Sequence, residues 1–595
     1  MNRHRSYGRL DDEPLRDGDV AFYGVNARLD PSVLGEGEVA HAVNARFDNG
    51  RAETRRGIRI MTWGAEGEQG GDAALAVPYG AVRRAETFND PVTGLEWMVV
   101  IRAADATYPN GRSYRARPGV TGAPITAPTG TDFDACTDLI QTYNGMVMLR
   151  GADLPPLYLE NIDEGWKSLP EPSGDAVDKE KIPTATHGIY FGNRLLVVDA
   201  RTDQQHVDTV WVSDIGGVTS VLQGRELYYQ SFKINQGSAD RLVGVFKFND
   251  TTLVAAKERS IYVVSNVTGT NDELAQNATL DSITDAYGCL APRSFVQVGK
   301  DLWFLGHRRG ICSITQTSTN ALQGVDVPVS QAIQPIIDRI NWEHAQNVVA
   351  ATHDNRVYFA VPLDGATDNN AVLVYSTLTG KWAGYDLSQA TKVRDFVRFT
   401  YGGGVRLGFL SSAGFICLYE DGSRDHTGNA AGELTYRPVE SVVRTRGYGG
   451  RALGSKRFIR YSARVHTWAT EATVTALQDG YAESRTVQAI AVDPAKYRRP
   501  YGQADWDPTN ADDDWSTPHR EDYAAAVGDD GLKVTDSDGA GTIAFGVTQA
   551  VEVSRRLADR GAFVQLEFAS TAGRLYVAGV EVEAIRGSTS DGTRS

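Results

Sequence analysis

The groups from which this 595-residue chain could build a reactive site are four cysteines, ten histidines and 75 acidic residues. Cys136, Cys289, Cys312 and Cys417 form no CxxC pair, and each sits in or beside an apolar stretch such as Gly414–Leu418, so they read as buried reduced thiols. The histidines, at 4, 41, 187, 206, 307, 344, 353, 426, 466 and 519, contain no HxxxH or HExxH spacing. A zinc site would therefore need long-range convergence, and each histidine reads as an ordinary polar or turn residue. There is no GxSxG elbow for a hydrolase nucleophile and no GxxxxGK[ST] loop for phosphates. Asp512-Asp513-Asp514-Trp515 offers the hard oxygens calcium prefers, but the loop glycine and the bidentate glutamate of a calcium loop are missing, so it reads as a solvated loop. A carboxylate pair for glycoside hydrolysis stays open, because a repeat fold can bring distant Asp and Glu together, yet no Ser-x-Asp-x-Gly-x-x-Trp turn recurs. Catalytic, cofactor-binding and metal-ligating residues are accordingly assigned to none.

The elements that would position any such group are short strands. Alternating or β-branched runs are broken every few residues by Gly, Asn or Asp, and the 61 glycines follow no Gly-X-Y period. Leu242–Phe248, Thr251–Ala256 and Ile261–Val264 make three strands and two turns. Phe295–Val298, Leu302–Leu305 and Ile311–Ile314 repeat the pattern, as do Val348–Thr352, Arg356–Val361 and Val372–Tyr375. The first turn recurs seven times, at Gly94, Gly145, Asn193, Asp250, Lys300, Asn355 and Gly403, with intervals of 51, 48, 57, 50, 55 and 48 residues. A period near fifty with three or four strands per unit predicts an all-β chain built on a β-propeller of about seven blades, within a range of six to eight. A row of β-sandwiches is the competing arrangement. The apolar runs Leu195–Val198, Val254–Ala256, Trp303–Leu305 and Val357–Val361 are expected to be the inner strands. Trp97, Trp211, Trp303, Trp342 and Trp382 are expected to pack within or between blades; an exposed sugar-binding ring is their alternative use. Residues 329–342 read as a short helix capped by Ser330, with Ile333, Ile336, Ile337 and Ile340 on one face.

Outside the repeats, residues 1–80 are expected to form an arm or small β region, 81–425 the propeller, and 426–595 a C-terminal β-sandwich. Within the last, Lys456–Trp468 with Ala472–Leu477, and Phe563–Phe568 with Leu575–Val582, are expected as hairpins. The net charge is -15. Residues 505–538 hold eleven acidic and two basic residues, a net of -9, which leaves -6 for the other 561. A near-neutral body disfavours a broad basic grip on nucleic acid. No apolar export segment opens the chain and no apolar run is long enough for a membrane helix, so synthesis in the cytoplasm is expected.

The opening residues Gly24-Val-Asn26-Ala-Arg28-Leu-Asp30-Pro31, Asn44-Ala-Arg-Phe, Asn49-Gly50-Arg51 and Arg55-Arg56-Gly57 resemble the start of bacteriophage tail nozzle or hub proteins of short-tailed phages. So do Val329-Ser330 with the Ile-rich stretch, Asn355–Pro362, Asn370–Tyr375 and Lys381-Trp382, and the close at Gly561–Leu566, Gly573-Arg574-Leu and Val580–Glu583. The resemblance covers most of the chain as loose pattern. It implies a structural, non-catalytic virion protein of the tail, without cofactors, that assembles as a homo-oligomeric ring, typically a hexamer, below the portal and adaptor. Tail fibres or spikes would dock on it, and DNA would pass through its channel without specific binding. A carbohydrate-binding or carbohydrate-cleaving propeller that recognises a receptor is the alternative function.

Overall fold

The structure is a computed structural model. It describes residues 14–586 except 62–80, 118–119, 169–181, 204–205, 214–230, 239, 268–276, 324–326, 389–391, 423, 429–433, 450–454, 468–470, 480–482, 491–532, 536–541, 545–549, 558–559 and 573. The acidic insertion therefore lies almost wholly outside the described residues. The chain divides into two compact units: residues 58–374 with 387–437, and residues 1–57, 375–386 and 438–595. These cut points are not the 80/81 and 425/426 expected from the spacing of the repeat.

The larger unit is the β-propeller. Its first blade runs Val82–Asn89, Glu96–Arg102, Arg112–Arg117, Val120–Pro124. The second runs Asp138–Thr142, Gly145–Arg150, Leu154–Leu159, Trp166–Ser168, and the third Ala185–Phe191, Arg194–Asp199, Thr209–Val212, Ser231–Lys233. The fourth runs Leu242–Lys247, Thr252–Lys257, Ile261–Ser265, Thr279–Thr284, and the fifth, with three strands, Val296–Val298, Asp301–Gly306, Gly310–Ser313. The closing blade, Val393–Tyr401, Gly404–Ser411 and Ile416–Leu418, takes Arg59–Ile60 as its fourth strand, with Ile60 opposite Cys417 and Arg59 opposite Leu418. Six blades thus stand as sheets of their own, within the expected range. The remaining repeat is a meander opening with Val349–His353 and Arg356–Val361; its first strand contacts both the fifth and the closing blade.

First strands touch first strands from the closing blade through the first to the fourth, and the fifth blade's first strand meets that of the meander, which meets the closing blade's. The innermost strand of each blade is therefore the first one. The apolar runs expected to be innermost, such as Leu195–Val198, are second strands. The reason is visible in their packing: Leu196 and Val198 enter the core with the fourth blade, whereas Leu195 and Val197 enter the core with the second. A second strand is covered on both faces by neighbouring blades, so both alternating sets must be apolar. Equivalent cores join the first blade to the second (Phe88, Val99, Met146, Leu157) and to the closing blade (Val100, Phe399, Leu410, Ile416). At ~1.5–3 kcal/mol per fully buried aliphatic or aromatic side chain, these inter-blade layers dominate the stabilisation.

The Ile-rich stretch is shorter and more broken than a single helix: a 3-10 turn over Val329–Ile333, one α turn over Gln334–Ile337 and a further 3-10 segment over Trp342–Asn347. Ile333, Ile336, Ile337 and Ile340 are all buried. Ser330 does not cap it; its hydroxyl instead accepts a hydrogen bond from the Ile311 amide of the fifth blade at 3.0 Å. A helix absent from the sequence reading, Ile314–Gln323, follows the fifth blade.

The smaller unit contains two sheets. Leu15–Asp19 and Ala52–Thr54 pair with Leu575–Arg586 in one, where Ala45–Arg46 adds an edge against Ala52–Thr54, and Glu38–Val43 pairs with Ser441–Thr445 in the other. The expected hairpins are not formed. Lys456–Thr467 pairs with Leu575–Arg586 and Ala550–Arg556, whereas Glu471–Gln478 pairs with Val564–Ala572 and Glu483–Ile490. From Lys456–Thr467 to Glu471–Gln478, and from Val564–Ala572 to Leu575–Arg586, the chain passes from one sheet to the other. Val564, Leu566 and Phe568 are fully buried, and so is Gln565 between them, its amide donating to the Thr445 carbonyl at 2.8 Å.

Candidate functional site

The innermost strands of the propeller carry its most unusual chemistry. Arg84 of the first blade donates to Asp395 of the closing blade at 3.1 Å and pairs through its other terminal nitrogen with Asp138 of the second. Asp138 also meets His187 Nδ1 of the third blade at 2.9 Å. His187 Nε2 lies 3.1 Å from the Val245 carbonyl of the fourth. Arg293, just ahead of the fifth blade, reaches the same oxygen of Asp395 at 3.0 Å. Charged side chains thus link the closing, first, second and third blades and the approach to the fifth, and His187 adds a contact to a backbone carbonyl of the fourth. Phe246 and Phe295 continue the contacts between fourth and fifth blades, stacked at 3.7 Å between centroids.

Buried charge is tolerated because each ion is paired. Despite the cost of burial, Arg84 and His187 hold the Asp138 carboxyl well below the usual range. Glu86 behaves in the opposite way. Burial, and then the charge of Asp395, push its carboxyl up to about 7, with Arg84 opposing the rise. Arg293 is pulled down to about 10, first by burial. Unequal carboxyls in one cluster are the raw material of acid–base catalysis. Here, however, Asp138 and Asp395 are both occupied by guanidinium groups.

The turns joining first to second strands hold six of the seven residues at which the repeat was anchored, and Gly145 opens the second strand just after its turn; Gly94, Asn193, Asn355 and Gly403 adopt positive φ. Next to them, a groove of about 940 Å³ spans the third to fifth blades, lined by Ile189, Phe248, Asn249, Asp250, Phe295 and Lys300 among others. Asp250 is the one carboxylate in its lining, and it pairs with Lys247 at 2.7 Å. On the blades at the other side of the ring, the equivalent turns expose Val92, Leu95 and Tyr143, and Val405 follows the closing blade's turn.

All four cysteines are buried, and none is in a disulfide. Trp97, Trp211, Trp303 and Trp382 are buried, in keeping with packing. Among the described residues no cluster of three or more His, Cys, Asp or Glu is placed to hold a metal ion. Asp512–Asp514 lie outside the described residues. No helix among them is long and apolar enough to cross a membrane. Arg84, Asp138, His187 and Asp395 were not singled out as a group by sequence. Their common signal is a charged or imidazole side chain in the first strand of a repeat, six to ten residues ahead of its turn.

No family model matches the chain, and no curated protein does. A solved structure described as "YCF48 bound to D1 peptide" is similar to it at 10% identity and a TM-score of 0.33, covering 57% of this chain and 92% of that one. The propeller assignment rests on the sheets and ring contacts described above.

Proposed function

We propose that the protein is a structural virion protein, a tail nozzle or hub subunit that assembles as a ring below the portal and adaptor and forms part of the DNA ejection channel. The observation that carries this reading is that Arg84, Asp138, His187, Asp395 and Arg293 pair with one another from blade to blade, as a framework. The motif residues of the resemblance are used the same way in the smaller unit. Arg46 forks onto Asp386 at 2.9 and 2.6 Å, Arg55 donates to Asn44 at 2.9 Å, and Trp382 is almost fully buried. The near-neutral charge outside the acidic insertion suits a channel past which phosphates slide without being held.

Negative-stain imaging of the purified chain, with a polysaccharide-release assay beside it, tests the proposal. Rings near six-fold symmetry without turnover are expected. A compact monomer that releases sugar would overturn it in favour of the receptor-cleaving alternative, and a strongly basic ring lumen would remove the sliding argument.

A further inference from the structure

The groove of about 940 Å³ at the turns of the third to fifth blades stands apart from the axial framework. Its floor is apolar: Ile189, Phe248, Phe295 and Leu302 line it, and Phe304 continues the stack behind Phe295 at 4.9 Å between centroids. The charged residues of its lining are Lys247, Asp250 and Lys300, all exposed, for a net of +1. Asp250 is matched by Lys247 at 2.7 Å. Lys300 has no carboxylate partner among the described residues. A concave apolar floor beside an uncompensated ammonium suits a ligand that carries an aromatic group and a carboxylate close together.

Residues 505–515 of this chain have the matching chemistry. They read Asp-Trp-Asp-Pro-Thr-Asn-Ala-Asp-Asp-Asp-Trp, with five aspartates, two tryptophans and no Lys or Arg, a net of -5. They lie outside the described residues, in the stretch between the strands Glu483–Ile490 and Lys533–Thr535. Trp506 is flanked by Asp505 and Asp507, and Trp515 follows Asp514. An indole seated on the floor therefore brings carboxylates to the rim where Lys300 stands. The groove lined by Arg51 and Arg464 is a poorer match, since its apolar lining is Val20 and two alanines, with no aromatic floor, and Glu552 is the register partner of Arg464.

We infer that the groove of one copy receives residues 505–515 of a second copy of this chain, with a tryptophan on the Phe248 and Phe295 floor and the adjoining aspartates on Lys300. The inference rests on the ring reading and names one contact that joins neighbouring subunits. Copies that each carry a segment of this charge repel one another when packed side by side; seating the segment on the neighbour's lysine-bearing groove turns that repulsion into attraction. A contact between two different surfaces also repeats at every subunit, as a ring requires.

The test is zero-length carbodiimide cross-linking of the full chain, which joins an amine to a carboxylate in contact with it. Light and heavy nitrogen-labelled chains are mixed, reassembled, cross-linked and digested, and mass is read by light scattering beforehand. Lys300 should be joined to an aspartate of residues 505–514, in pairs that mix light and heavy chains. The yield should fall on the order of tenfold in Trp506→Ala/Trp515→Ala, which keeps every charge, and also at high salt. Lys300→Gln should remove the product, and a thermal melt confirms that each variant folds. Cross-links of Lys300 to this stretch only within one chain would overturn the second copy as occupant. An assembled protein in which Lys300 joins none of these aspartates would overturn the contact and leave the ring reading standing. Hydrogen exchange at Phe246–Thr252 that a bacterial polysaccharide slows, and that the tryptophan variant leaves unchanged, would give the groove to a glycan and overturn the contact too. A wild type that stays monomeric at all concentrations would overturn both the contact and the ring reading.

Discussion

Lys257 Nζ lies 2.9 Å from Asp208 Oδ2 at the junction of the third and fourth blades, and both side chains are essentially without solvent contact. The ammonium also reaches the Asn235 and Asp240 carbonyls and the Ser238 hydroxyl, at 2.7–3.1 Å. The other oxygen of Asp208 accepts from the Leu242 amide at 3.0 Å. This pair ties the entry of the fourth blade to the third. Lys257→Met should lower stability by ~3–5 kcal/mol, since it leaves a buried carboxylate without its counter-ion. The double variant Lys257→Met/Asp208→Asn should cost less than Lys257→Met alone. Urea unfolding of the three proteins checks both statements, and equal losses in the single and double variants would show that the charge is not the cause.

Glu86 gives the propeller a pH dependence of opposite sign to that of Asp138. Its folded pKa, raised to about 7 by burial and then by Asp395, exceeds the ordinary carboxyl value near 4.5. Between those values the folded state keeps a proton that the unfolded state has released, so stability is lost as pH rises from about 4.5 to 7. Glu86→Gln should therefore raise the urea midpoint by about 0.3–0.6 M at pH 8 and change it little at pH 4.5. A gain of equal size at both pH values would mean that the effect is not protonation. Asp138 contributes the reverse: its folded carboxyl is held low, so its stabilisation is present above the unfolded value and lost in acid.

The repeat was legible because each blade spends one strand on two apolar neighbours. Leu195–Val198 and Val254–Ala256 stand out in the sequence for that reason, and the seven turns between them set the period. The same runs misplaced the axis. An apolar run reports burial on both faces, and the strand nearest the axis can afford Arg84, Asp138 or His187 because its partners come from other blades. Those partners lie 49–54 residues or more away, so no local spacing announces them. The C-terminal strands show a different limit. Alternation is the same whether Glu471–Gln478 returns beside Lys456–Thr467 or crosses to the opposite sheet, as it does.

The cysteines should be chemically silent in the folded protein. Burial pushes the Cys136 and Cys289 thiols up to about 12, and raises Cys417 further. Thiolate is the reactive form, so native protein at pH 8 should react with a disulfide reagent at well under one thiol per chain, and at four after guanidinium unfolding. A fast native reaction at one thiol would show that a blade opens locally on the time scale of the assay.

The clasp that closes the propeller should loosen in mild acid. The Arg59–Ile60 strand of the closing blade is also tied to the chain just beyond that blade, Arg424–Gly428, by the Ile58 amide donating to Asp425 at 3.0 Å and by the His426 amide donating to the Ile58 carbonyl at 2.8 Å. Burial, and next the charge of Arg59, lower the His426 imidazole to about 4; Arg424 acts in the same direction, and Asp421 and Asp425 oppose it. An unfolded histidine titrates near 6.5. The opened clasp therefore gains a proton that the closed one refuses, and stability present above about 6.5 is lost as pH falls toward 4. Hydrogen exchange at Ile58–Met61, corrected for the intrinsic pH effect, should lose protection on the order of tenfold between pH 7 and pH 5. His426→Gln should abolish that dependence while leaving the exchange of Leu253–Ala256, deep in the fourth blade, unchanged. Equal acid sensitivity in both segments would point to global unfolding and remove His426 from its place as the clasp's titrating group.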